Sequence, residues 1–127
     1  MDYLIVSNNL RVKDNYMDVL FIDGGFEDVL IKVRDFVHSG YELVSHPLGA
    51  SIRMLYSPYR SILISDKKEN LNPIYLETIE NSIENYRKHM QLRKPDITNS
   101  NDYSIIDSEL LESAIKEFYR NSETMIN

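Results

Sequence analysis

Residues 18–45, DVLFIDGGFEDVLIKVRDFVHSGYELVS, carry the reading on which the fold turns. The stretch opens on a short apolar run, 18–23, which Gly24 and Gly25 stop. Over 26–39 the apolar residues Phe26, Val29, Leu30, Val33, Phe36 and Val37 recur at three and four residues, the spacing that lines one face of a helix. Gly40 closes that helix as a C-terminal cap, because glycine enters left-handed backbone without a Cβ penalty. A second short run follows at 41–45. Strand, helix and strand in that order predict a right-handed parallel crossover.

Outward from this unit, residues 3–7 form another aliphatic run, ended by Ser7, Asn8 and Asn9, and 60–65 form a fourth. Apolar runs this short, bordered by glycine or proline, favour strand over buried helix. Asn72-Pro73 starts a helix: asparagine caps the free amides, and proline takes the position where its missing N–H costs nothing. That helix runs to Leu92, and Pro95 stops it. Its apolar positions Leu76, Ile79, Ile83, Tyr86 and Met90 make a heptad-like seam, which serves packing within the monomer or, as the other use, a homodimer. A polar linker, 96–101, leads to a last helix over 102–121. The expectation is a single α/β domain over 1–127, with a small, mostly parallel four-stranded sheet and one crossover helix in 1–66. The C-terminal helical part, 72–121, packs on that sheet or pairs as a hairpin.

Composition narrows the classes. The chain has 127 residues, 43% of them apolar, enough for a core that hides about two-thirds of the unfolded surface. Fourteen basic against 20 acidic side chains give a net charge of −6, which argues against nucleic acid and anionic membrane surfaces as partners. There is no cysteine, so disulfides, thiol catalysis, cysteine–zinc sites and iron–sulfur clusters are excluded. The start, MDYLIVSNN, lacks the basic residues and long apolar core of a signal peptide. The expected location is the cytoplasm, and no cofactor is expected.

The candidate chemistry lies where parallel strands would end. Asn8 and Asn9 follow the first run, Asp23 and Gly24 the second, and His46 the third, all on one rim of a parallel sheet, where open α/β sheets place ligands. Gly49 could offer a backbone amide to an anion, Ser51 a hydroxyl, and Arg53 or Arg60 a guanidinium. Asparagine, aspartate and glycine also end strands for turn chemistry alone, so each cluster has a plain structural reading beside the functional one. His46 is the leading candidate because imidazole titrates near neutrality. His38 and His89 stand apart from it on separate helices, so no metal-ligand spacing arises. Nothing in the serine, histidine and carboxylate spacing assembles a nucleophile with a base, and no catalytic residue is assigned.

Several of these elements together resemble GrdX proteins: Ser7-Asn8-Asn9, Val33-Arg34-Asp35 with His38 and Gly40, Ser45-His46-Pro47-Leu48-Gly49, and Ser57-Pro58-Tyr59-Arg60-Ser61. Ile105-Ile106-Asp107, Leu110 and Ser113-Ala114-Ile115 extend the likeness to the C-terminal helix. The segment after Leu48 departs from the family pattern. The resemblance implies a place beside the glycine reductase system of amino-acid-fermenting (Stickland) clostridia, with reductase proteins as partners. It carries no assigned reaction. Two readings follow. One is a non-enzymatic accessory protein acting by protein contact, with Met54, Leu55, Tyr56 and Tyr59 as the candidate surface among nine tyrosines. The other is a binding protein or enzyme for a small polar metabolite at the strand ends.

Overall fold

A computed structural model describes residues 2–49 and 52–126, with side chains described for 2–49 and 54–121. Among them the element order is β1 (Tyr3–Ser7), α1 (Leu10–Asn15), β2 (Val19–Phe21), α2 (Phe26–His38), a 3-10 turn (Ile52–Tyr56), β3 (Ser61–Ser65), α3 (Pro73–Leu92) and α4 (Ser100–Ile126). The sheet has three strands in the order β2-β1-β3. β1 pairs parallel with β2, Ile5 opposite Val19, and antiparallel with β3, Ile5 opposite Leu63. The expected mostly parallel four-stranded sheet is therefore corrected to a three-stranded mixed one accompanied by four helices.

Two local causes account for the difference. The parallel pair is β1 and β2, joined by α1, a six-residue helix too short to show a periodic stripe. Its start is marked only by Asn9, whose side-chain oxygen accepts the Arg11 amide and so caps the helix. The run at 41–45 does lie along β3 but makes a single antiparallel bridge, Leu43 to Ile64. Backbone bonds persist there, from the Ser65 amide to the Glu42 carbonyl at 2.9 Å and from the Val44 and Ser45 amides to the one Leu63 carbonyl at 3.0 and 3.2 Å, and serine hydroxyls add to them. Ser45 Oγ accepts the Leu63 amide at 2.9 Å, and Ser65 Oγ accepts the Glu42 amide at 2.9 Å. Two successive amides sharing one carbonyl, as in a bulge, break the regular alternation of the ladder.

The helices form a layer on each side of the sheet. Val6, Ile62 and Ile64 point to one side, where Phe26, Val29, Leu30, Val33 and Val37 of α2 meet Ile79, Ile83 and Tyr86 of α3. Ile5 and Leu63 alternate to the other side, against Val12 of α1 and Leu111 of α4. β1 and β3 thus bury both faces, which is why they read as unbroken apolar runs. The C-terminal helices neither pair as a hairpin nor share a face; they split across the two layers. The α3 seam packs on α2 within the chain, with Phe26 stacked on Tyr86 at 4.6 Å.

α2 and α3 begin and end as their residues dictate. The Asp28 carboxylate reaches back to accept the Gly25 amide at 2.8 Å. Gly40 follows the α2 cap at φ +105°, where a Cβ would stand 1.9 Å from the Glu69 carbonyl oxygen. Asn72 Oδ1 accepts the Ile74 amide at 2.9 Å and Pro73 opens α3. α4 runs past its expected end, to Ile126.

Candidate functional site

The ends of β1 and β2 and the start of β3 meet at one rim, and Asn8 ties them together. Its amide nitrogen donates to the Gly24 carbonyl at 3.0 Å and to the Pro58 carbonyl at 2.8 Å, while its oxygen accepts the Arg60 amide at 2.9 Å. Convergence at the rim, anticipated for a parallel sheet, survives the change of topology because β3 starts where β1 ends. The chemistry differs from the expectation: the Asn8 side chain is engaged with main chain of two other loops. Asp23 and Gly24 are exposed on the loop before α2.

Asn9 faces α4. Its amide nitrogen donates to the Ser104 carbonyl at 2.9 Å and to Asp107 Oδ2 at 3.0 Å, and its oxygen also accepts the Ser104 hydroxyl. Asp107 is completely buried, and its two oxygens also accept the Ser61 amide at 2.9 Å and the Ser61 hydroxyl at 2.7 Å. Ser7 Oγ lies 2.7 Å from Ser61 Oγ and accepts the Asn9 amide. Every buried side-chain nitrogen and oxygen of this knot has a partner, which is the condition for polar burial to hold elements together. Asp107 was not among the expected site residues. Its signal is positional: it lies four residues before Leu111, the buried apolar residue of α4, and so on the buried face.

Arg60 enters the same region from β3. Only 5% exposed, it donates from Nε to the Pro47 carbonyl at 2.8 Å and from Nη2 to the His46 carbonyl at 2.6 Å. Gly49, at φ +74°, turns the chain so closely under the guanidinium that a Cβ there would lie 3.5 Å from Nη1 and Nη2. Burial lowers the Arg60 pKa from its usual value, and the Asp107 charge acts against that. His46 is exposed, and its Nδ1 accepts the Leu48 amide at 3.1 Å, which leaves the ring proton on Nε2. Partial desolvation of the ring on its inner side and then the Arg60 charge lower the His46 pKa, so the neutral ring prevails at pH 7.

Between this corner and α4 lies a cleft of about 700 Å³. His46, Gly49 and Arg60 line it at the rim, and Val44, Leu110 and Phe118 supply apolar wall. Three of the expected site residues are thus brought together, while Asn8, Asn9, Asp23 and Gly24 do not line it. Ser51 lies outside the described residues, as does the Arg53 side chain. In the segment marked for partner contact, Leu55 is buried in the core, and Met54, Tyr56 and Tyr59 are half-buried. Tyr56 is tied to the chain after α3, its hydroxyl accepting from Arg93 and its carbonyl from the Asp96 amide. Among the described residues no group of three histidine or acidic side chains could hold a metal ion, and no helix is long and apolar enough to cross a membrane.

A family model described as GrdX-like protein matches residues 4–116, which span all three strands, α1 to α3 and the Asp107 knot. No curated protein and no solved structure matches the chain.

Proposed function

Because the chain belongs to the GrdX-like protein family, we propose that it is a cytoplasmic accessory protein of the glycine, sarcosine and betaine reductase system of amino-acid-fermenting anaerobes. It acts by protein–protein contact in assembly or regulation and carries no reaction of its own. Family membership is the observation that carries this reading. The rim adds support, since Asn8 and Asn9 hold loops and helices in place by hydrogen bonds to the chain itself. The contact surface is the segment around Leu55, which anchors in the core while Met54, Tyr56 and Tyr59 stay half-exposed. Tyrosine and methionine are enriched in such surfaces.

Affinity capture with the tagged chain from a glycine-fermenting lysate, read by mass spectrometry against a tag-only control, tests it. Reductase subunits should be enriched with the wild type and depleted with Met54→Ser/Tyr59→Ser. Recovery of the bait alone overturns the accessory role.

A second reading, a binding site for a small polar metabolite at the strand ends, is favoured by one observation: His46, Gly49 and Arg60 meet in the cleft beside α4.

A further inference from the structure

The cleft holds a buried cation that is short of an ionic partner. Among the described residues no carboxylate lies within ion-pairing distance of Arg60. Two of its five N–H groups donate to main-chain carbonyls. The nearest opposing charge, Asp107, has its oxygens taken by Ser61 and Asn9. A guanidinium held out of water in this way is a strong, preorganised donor site for an anion, and its fork suits a carboxylate. His46 adds a neutral imidazole at the same end.

The rest of the cleft is of different character. Val44, Leu110, Ala114 and Phe118 line it, and its volume falls in the range of small-molecule sites. Glu117 also lines it, ten residues along α4 from Asp107 and so about 15 Å further down the helix. An acidic side chain on the α4 wall repels a carboxylate, while the Arg60 guanidinium attracts it.

We infer that the cleft binds a small amphipathic carboxylate, its anionic end against Arg60 and its apolar body between Val44 and α4. This rests on the second reading in placing a small-molecule site at the strand ends, and replaces its polar metabolite by an amphipathic one because the cleft wall is apolar; it is independent of the accessory role. The probe is 4-phenylbutanoate, titrated into the full chain by calorimetry and by amide NMR. Its neutral amide and acetate serve as comparisons. The acid should bind at least tenfold more tightly than either, with shifts clustered at 44–49, 60–61 and 110–118. Arg60→Gln removes the charge but also frees the His46 and Pro47 carbonyls, so the decisive variant is Ser113→Trp. That exposed residue lines the cleft, and the variant should abolish binding while the thermal unfolding midpoint stays unchanged. Equal affinity for acid and amide overturns the carboxylate while leaving the cleft a binding site. Equal affinity for acetate overturns the apolar body. Binding of none of the three, or shifts elsewhere, overturns the site itself.

Discussion

Asp107 concentrates at one residue what holds this rim together. Its oxygens accept the Ser61 backbone amide, the Ser61 hydroxyl and the Asn9 side-chain Nδ2, all inside the fold. Asp107→Ala leaves the Ser61 backbone amide buried without an acceptor and strips one bond each from the Ser61 hydroxyl and the Asn9 side chain, and should cost about 3 kcal/mol, read as a lowered urea midpoint at unchanged slope. His46 gives a pH signature. Its folded pKa lies below the ordinary 6.5 because burial and Arg60 disfavour the imidazolium. The unfolded chain therefore holds the proton more tightly, so this contribution to stability is present above pH 6.5 and is lost as the pH falls below it. Titration of the ring protons by NMR should give a midpoint below 6.5; one at or above it would mean that the ring is well solvated and distant from the guanidinium. Tyr86 behaves in the opposite sense. Burial, then Glu27 and Asp28, push its pKa up to about 12 from 10.0, so stability present below pH 10 is lost between 10 and 12. The candidates His46, Gly49 and Arg60 were legible as residue types because histidine, glycine and arginine in a polar interval are scarce and chemically distinct. Asp107 was not, since a carboxylate in an amphipathic helix looks like a solvated one until its partners arrive from β1 and β3.

At the scale of elements, legibility follows local signals. α2 and α3 were readable from apolar periodicity together with caps at their ends, and both lie where those signals put them. Asn72→Ala should lower stability by about 1 kcal/mol through the lost cap. Gly40→Ala should cost about 2–3 kcal/mol, because φ is +105° and the new Cβ would meet the Glu69 carbonyl. Thermal unfolding of the two variants measures both, and a Gly40→Ala protein as stable as the wild type would contradict the left-handed turn. α1 escaped notice because six residues give less than two helical turns, too few to establish a period. The run at 41–45 has the composition of a strand but only bridges β3, since Val44 and Ser45 both donate to the Leu63 carbonyl and the Ser45 and Ser65 hydroxyls take further amides.

For the whole molecule, the question was which surfaces the apolar stripes would find. The α3 seam meets α2 in the same chain. Ile83→Ala should therefore destabilise by about 2–5 kcal/mol by opening a cavity. The loss should be the same across a wide range of protein concentrations, because the contact is intramolecular. A loss that grows on dilution would put the seam between copies. The sequence by itself determined the α/β class, the apolar runs of the three strands together with a fourth at 41–45 that does not become one, the caps and stripes of the longer helices, the exclusion of cysteine chemistry and the family. These depend on which residues seek burial and on backbone preferences within a few residues, and both are local. Only the tertiary structure decided the antiparallel placement of β3, the split of α3 and α4 across two faces and the closure of the Asp107 knot. It also decided the burial of Arg60 beside an open cleft. Each of these depends on which distant surface arrives to satisfy a stripe or a donor, and no local pattern encodes that.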